Sequence, residues 1–431
     1  MARRKRRRLK KSVRRGCLLF FSLPFFVYLI FFLYDRHQAN SLAEDAIVPK
    51  AERPDSLSQL SQRIDRLMHT PQRIDTSTIA LEVTDLSTGS IVYSRHAQRL
   101  VAPASCMKLL TAVAAMQFLG PSHTLNTQVV TQGERRAGVL HGTLLFQLDD
   151  DPVLETLEPL VEAVRQKGIR RIEGDIQLQL MRDDTLRAHA TAATWDIPYN
   201  RLPPLLKGRP RIEQDLRYLL ASHGISFSGS IVRQTETLGK QPADTLYRHE
   251  TPLADVLAPM LIHSSNIKAD ALFTHIATVC NRLPLVQFSP EQYLLAMAGL
   301  VAPDDAQRPH FVVNDGSGLS PDNRLTAHFL VQLLQYAWQQ EDMRRILLDR
   351  ALATPGHPER HGSLLGRMTA PMFRNKLFLK TGTLTTRALS SLAGYVQTAD
   401  GRWLAFAIVN EDSPVAESRI FQDKICRELV N

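Results

Sequence analysis

An antiparallel β-sheet covered by helices, with a second domain inserted into it, is the architecture this 431-residue sequence predicts. Three observations carry that prediction. A hairpin pattern near the start of the body and three strand patterns near its end supply a sheet from both chain ends. The helices between them are apolar on nearly every side, which places them against other layers instead of in water. Over residues 122–246 the texture changes to short strand-like pieces, and a chain of this length exceeds what one core usually serves.

Ten Lys and Arg residues lie between Arg3 and Arg15 with no acidic residue among them. The whole chain carries +9, so 9 − 10 leaves about −1 after Gly16. A near-neutral body argues against a surface built to neutralise nucleic-acid phosphates, and no nucleic-acid partner is expected. From Cys17 to Tyr34 eighteen residues pass without a charge, long enough to span a bilayer. With the cations on its N-terminal side, this run predicts a single-pass anchor in the inner (cytoplasmic) membrane, a cytoplasmic segment 1–16 and a body facing the periplasm or cell exterior. A cleaved signal peptide is the alternative, for which Ala39–Ala43 offers only a poor site. Residues 35–55, with Pro49 and Pro54, read as a tether.

Ser56–Met68 has the spacing of a short amphipathic helix. Ile79–Thr84 alternates as a strand, turns at Asp85–Gly89 and returns through Ser90–Tyr93. After Pro103 a helix over Cys106–Leu119 has only Lys108, Thr111 and Gln117 as polar members before Gly120-Pro121 stops it. In the insert, Leu157–Lys167 reads as a helix, and Pro198–Pro210 as a loop rich in Pro and Arg. Thr251–Cys280 is helical again, broken near His263–Asn266. Lys376–Lys380, Leu389–Val396 and Trp403–Val409 carry strand signals, the last two joined by Asp400-Gly401, a favoured hairpin turn. Val415–Leu429 closes as a helix. The expected organisation is therefore a main domain over 56–121 and 247–431 with an inserted domain over 122–246.

Three short stretches carry candidate chemistry. Ser105-Cys106-Met107-Lys108 sets a hydroxyl at a helix start and an amine one turn along the same face. A serine becomes a nucleophile when a base takes its proton, and a lysine serves as that base where apolar burial lowers its pKa. Ser264-Ser265-Asn266 lies at the helix break. Lys380-Thr381-Gly382-Thr383 follows an apolar strand, where a cation, two hydroxyls and a glycine permitting close backbone approach make a cradle for a carboxylate. Each has an ordinary explanation when taken alone: a helix cap with a lysine reaching solvent, a local turn, and a strand end.

Together, in the order SxxK, SxN, KTG, they resemble the motif triple of the active-site serine penicillin-binding proteins. The chain looks like the low-molecular-mass D-alanyl-D-alanine carboxypeptidase/endopeptidase family that carries a large insertion between its first two motifs. Here 264 − 105 separates them by 159 positions. Asn314-Asp315-Gly316-Ser317-Gly318-Leu319-Ser320, Asn323–Thr326 and Leu392–Tyr395 are similar to that family's own signatures, and the likeness runs from roughly Arg73 to Asn410.

The resemblance implies an α/β (α+β) serine DD-peptidase/β-lactamase-like transpeptidase fold. It implies Ser105 as the nucleophile and Lys108 as its base. Ser264 and Asn266 would relay a proton and hold the substrate amide, and Lys380, Thr381 and Thr383 would bind the terminal carboxylate beside Gly382. The oxyanion hole would be the N–H groups of Ser105 and Thr383. Peptidoglycan stem peptides are the implied substrates and β-lactams the implied covalent inhibitors, with no cofactor and no metal. Cys106, Cys280 and Cys426 give no disulfide framework. The chain departs from the family at Leu148-Asp149-Asp150-Asp151-Pro152, at Ser265 and at Thr385-Thr386-Arg387, so no insert residue is assigned a role. A β-lactamase and a non-catalytic wall scaffold are the alternative functions.

Overall fold

Strands from both ends of the body meet in one sheet. The computed structural model describes residues 56–187, 201–234, 243–282, 287–303 and 310–431. The basic segment, the apolar run and the tether expected before Ser56 lie outside them. Among the described residues no helix is long and apolar enough to cross a membrane. After helix α1 (Ser56–His69) come strands β1 (Ile79–Asp85) and β2 (Ile91–Arg95), and helix α2 spans Met107–Leu119.

The insert contains β3 (Thr124–Arg136), β4 (Val139–Leu148), α3 (Glu158–Gln166), β5 (Arg171–Glu173) and β6 (Ile176–Leu180). It continues through α4 (Arg209–Ser222), β7 (Ser226–Phe227), β8 (Ile231–Arg233) and β9 (Ala243–Pro252). Helices α5 (Leu253–Ile262), α6 (Asn266–Cys280), α7 (Pro290–Val301), α8 (Ala327–Gln339) and α9 (Glu341–Ile346) follow. The chain closes with β10 (Leu377–Leu384), β11 (Leu389–Gln397), β12 (Trp403–Asn410) and α10 (Val415–Val430).

The first sheet has the order β10-β11-β12-β1-β2, antiparallel throughout. Its central strands are buried on both faces because helices cover both. The alternation sorts them cleanly. Leu404, Phe406 and Ile408 of β12 join the core made with Leu60, Ile64 and Met68 of α1 and Phe421 and Ile425 of α10. Ala405, Ala407 and Val409 join the other core, with α2, α5, α6, α7 and α8. Residues 107–116 of α2 are all buried, as expected of a helix apolar on every side that lies between layers.

The second sheet has the order β7-β5-β4-β3-β9, with β6 beside β4 and β8 beside β6. β3, β4 and β9 pair antiparallel, whereas β5, β6, β7 and β8 join in parallel, and a separate core under α3 and α4 supports them. Strand β9 runs through the expected 246/247 boundary to Pro252, because pairing with β3 as far as Thr124 continues the second sheet to that point.

An ionic knot joins the two parts. Asp150, at the end of β4, accepts from His275 Nδ1 of α6 at 2.6 Å, and the other ring nitrogen of His275 lies 3.1 Å from His123. Burial alone would lower His275, but the Asp150 carboxylate outweighs it and lifts the imidazole above its usual range. His123 goes the other way, pushed down to about 4 by its own burial and then by His275. Where His275 carries both ring protons, it donates to Asp150 on one side and to His123 on the other.

Candidate active site

The nucleophile candidate sits on a strained turn. Ser105 belongs to a 3-10 turn, Ala104–Cys106, and the α-helix begins only at Met107. The helix thus starts one residue later than the sequence pattern suggested, since Ala104 has a left-handed φ of +46° that the α-helix does not accommodate. The turn is clamped by the loop at 314–320. A Cβ at Gly318 would lie 1.8 Å from the Ala104 carbonyl oxygen, so only glycine lets the two backbones approach this closely.

The loop itself is organised by Asp315. Its buried carboxylate accepts from the backbone N–H groups of Ser317 (3.1 Å), Gly318 (2.5 Å) and Ser320 (2.6 Å) and from Asn323 Nδ2 (3.1 Å). Thr111 of α2 donates to the Gly316 carbonyl at 2.6 Å and ties the loop to the helix. Four acceptances at one carboxylate satisfy its lone pairs and fix where the next carbonyl points.

That carbonyl belongs to Ser317, and it faces Lys108. The lysine is fully buried, with Nζ 2.5 Å from Ser317 O, 2.7 Å from Asn266 Oδ1 and 2.9 Å from Ser105 Oγ. The first two partners are carbonyl oxygens, which only accept, so they take two N–H bonds of the amine. Its third direction lies toward Ser105 Oγ. In a neutral amine that direction is the lone pair, the arrangement in which the hydroxyl donates to the nitrogen.

Asn266 opens α6, where Ser265 caps the helix by accepting from the Lys268 N–H at 3.4 Å. The residue before the cap, Ser264, is held at a left-handed φ of +58°. Such strain is tolerated where surrounding contacts fix it, and here its Oγ accepts from Lys380 Nζ at 2.8 Å. Lys380 also donates to the Thr381 carbonyl at 2.7 Å. Burial, and then the charge of Lys108 whenever that amine is protonated, push Lys380 down to about 7.

The KTG stretch lies inside a strand and not at its end. β10 continues to Leu384, with Lys380 opposite Ala393, Thr381 opposite Leu392, Gly382 opposite Ser391 and Thr383 opposite Ser390. The apolar pattern that marks the strand stops early because Gly382 is pressed against the nucleophile turn. A Cβ there would lie 2.2 Å from Ser391 Oγ and 3.0 Å from Pro103 O. Cys106 packs behind the same strand, its Sγ 3.4 Å from Lys380 O, and burial pushes its thiol up.

All eight motif residues therefore converge. Ser105, Ser264, Asn266, Thr381, Gly382 and Thr383 line one cleft of about 620 Å³, while Lys108 and Lys380 lie beneath its floor. Other wall residues carried no signal in the sequence. Ser363 accepts from Thr381 Oγ1 at 2.7 Å, and Arg419 of α10 donates to Thr383 Oγ1 at 2.9 Å. Arg367 also faces the cleft and is paired with Asp423 at 2.6 Å. No element of sequence spacing links residues 363, 367 and 419 to the motifs; only the fold does. Among the described residues no cluster of His, Cys, Asp and Glu could hold a metal ion.

The chain is similar to known proteins over most of its length. A D-alanyl-D-alanine carboxypeptidase of Actinomadura sp. strain R39 is 25% identical over 433 residues, covering 80% of each chain. The D-alanyl-D-alanine carboxypeptidase DacB of Haemophilus influenzae is 22% identical over 415 residues, covering 77% of this chain and 84% of that one. The crystal structure of penicillin binding protein 4 (dacB) from the same organism superposes with a TM-score of 0.66 at 19% identity, over 88% of this chain and all of that one, so the fold is shared. Residues 60–204 and 209–427 match a single family description, and on that extent the chain belongs to the D-Ala-D-Ala carboxypeptidase 3 (S13) family.

Proposed function

We propose that this serine-type D-Ala-D-Ala carboxypeptidase cleaves peptidoglycan stem peptides through an acyl-enzyme on Ser105, with Lys108 as the base. The observation that carries the assignment is the 2.9 Å approach of Lys108 Nζ to Ser105 Oγ while two carbonyl oxygens occupy its other directions. In the first step Ser105 Oγ attacks the carbonyl of the penultimate D-alanine, and its proton passes to Lys108 Nζ. The Oγ–C bond forms, and the oxygen that gains charge is received by the N–H groups of Ser105 and Thr383. Such donors are worth about 3 to 4 kcal/mol each in comparable hydrolases.

The C–N bond then breaks. Its departing amine takes a proton by way of Ser264 Oγ, which lies between the cleft and Lys380 Nζ. Asn266 holds both Lys108 and the substrate amide in register. The proton gained by Lys108 replaces, through the water of the cleft, the one that Lys380 gave up, so both amines return to their starting states. Water then attacks the acyl carbonyl, Lys108 takes its proton, and that proton passes to Ser105 Oγ as the Oγ–C bond breaks. A Lys380 that titrates near 7 can pass a proton to Ser264 at neutral pH, which a lysine of ordinary basicity does poorly.

Residues 17–34 serve in this reading as the membrane anchor that keeps the body on the periplasmic side, where the cell wall is. Cross-linked stems also present a D-alanyl bond, so endopeptidase cleavage falls within reach of the same site. The test is digestion of defined muropeptides by the full-length protein in detergent, followed by mass spectrometry. Loss of one D-alanine from pentapeptide stems, or conversion of dimers to monomers, is the expected result. Intact muropeptides with an enzyme that still takes up labelled penicillin would refute the proposed substrate.

A further inference from the structure

We infer that Arg419, on the C-terminal helix and outside all three motifs, supplies the positive charge that holds the substrate's terminal carboxylate. This rests on the peptidase reading above and assigns one more residue to it. Two cations compete for the role. Lys380 is fully buried and its Nζ is already committed to Ser264 Oγ and the Thr381 carbonyl. Burial also acts against its charged form. A group spending its proton on a relay is a poor fixed anchor.

Arg419 has the opposite properties. Its guanidinium is exposed at the wall of the cleft that Ser105 lines, and it reaches Thr383 Oγ1 at 2.9 Å. Guanidinium stays protonated at any working pH and matches a carboxylate with two parallel N–H bonds. Its neighbour Arg367 is neutralised by Asp423, whereas among the described residues no carboxylate forms an ion pair with Arg419. Partial desolvation and then the nearby Arg367 act against its charged form, only partly offset by the Asp423 carboxylate that pairs with Arg367, a penalty that an incoming anion would relieve. A carboxylate that accepts from the Thr383 hydroxyl would lie beside this guanidinium, since Arg419 already reaches that hydroxyl at 2.9 Å.

The distance from the nucleophile makes the role testable apart from the chemistry. The measurement is kcat/KM for a peptide ending in D-Ala-D-Ala as the free acid, divided by the value for the same peptide ending in a carboxamide. In the unaltered enzyme the free acid is favoured, and Arg419→Gln is expected to reduce that ratio by about 100-fold, the scale of losing a charge-assisted pair. Arg419→Lys keeps a cation and should lose about 10-fold or less. Equal losses on both peptides, or an unchanged ratio in Arg419→Gln, would overturn the assignment. Failure of the unaltered enzyme to cut either peptide would instead bring down the peptidase reading on which it rests.

Discussion

Gly318→Ala should cripple acylation through the contact of this residue with the nucleophile turn. A Cβ at this position would stand 1.8 Å from the Ala104 carbonyl oxygen and 2.9 Å from Met107 Cβ, where contacts below 3.0 Å essentially never occur. The turn must therefore give way by at least 3.0 − 1.8 = 1.2 Å. Two further costs add to this. The glycine sits at φ +77°, which an L-residue reaches at about 1–2 kcal/mol, and the loop is held by Asp315 and cannot simply swing aside. Since Ala104 immediately precedes Ser105, most of the displacement falls on the nucleophile. A misplacement of about 1 Å costs on the order of 100-fold in a reaction that depends on near-attack geometry. The assay is the second-order rate of acylation by a fluorescent penicillin, with thermal melting run in parallel. A rate within threefold of the unaltered protein, at unchanged melting temperature, would show that the Gly318 contact does not position Ser105.

Other outcomes follow from buried polar groups. Asp315→Ala leaves three backbone N–H groups without their acceptor and takes one of two acceptors from Asn323 Nδ2, and should lower unfolding free energy by about 3–5 kcal/mol and slow acylation with it; urea melts in which stability drops by less than about 1 kcal/mol would contradict that role. The histidine pair predicts a pH dependence. His123 is depressed from 6.5 to about 4, so its stabilising contribution is fully present above 6.5 and is lost as pH falls toward 4. The difference is worth at most about 3.4 kcal/mol and about half that once partial solvent exposure is allowed for. Asp150, Asp149, Arg182 and Arg282 face the same knot, and Asp150 is held low through its partner His275, so it stays ionised across that window. Melting temperature should thus fall between pH 6.5 and 4, less steeply in His123→Asn; identical slopes in the two proteins would remove His123 from the account.

Much of the architecture was written in periodicity. The α2 helix, apolar all round, could only lie between layers, and it does; the alternation of β12 sorted its residues onto two cores as a two-faced buried strand must. Helix α3 and the break between α5 and α6 fell within a residue or two of the expected Leu157–Lys167 and His263–Asn266. The parallel strands β5, β6, β7 and β8 were not legible, because stretches of two to five residues carry too little alternation to distinguish from loop. Thr385–Arg387 forms a 3-10 turn that ends with Ala388 in the left-handed region, where a glycine would have advertised the turn. For the site, motif strings named the residues that converge, but not the carbonyl of Ser317 that orients Lys108, nor the arginine of α10 beside Thr383. Both act through contacts spanning long stretches of chain, which local spacing does not encode. The Asp150–His275 pair is of the same kind: three acidic residues before a proline read as a departure in sequence, and one of them turned out to bind the insert to the helix carrying Asn266.

The measurement closest to the centre is peptide mapping of the penicillin-labelled protein beside Lys108→Ala. A single label on Ser105 is expected in the unaltered chain, and in the folded variant a loss of acylation rate of at least about 100-fold, since a general base contributes about 100- to 10,000-fold. Label on another serine, or a Lys108→Ala protein that acylates at the normal rate, would contradict it.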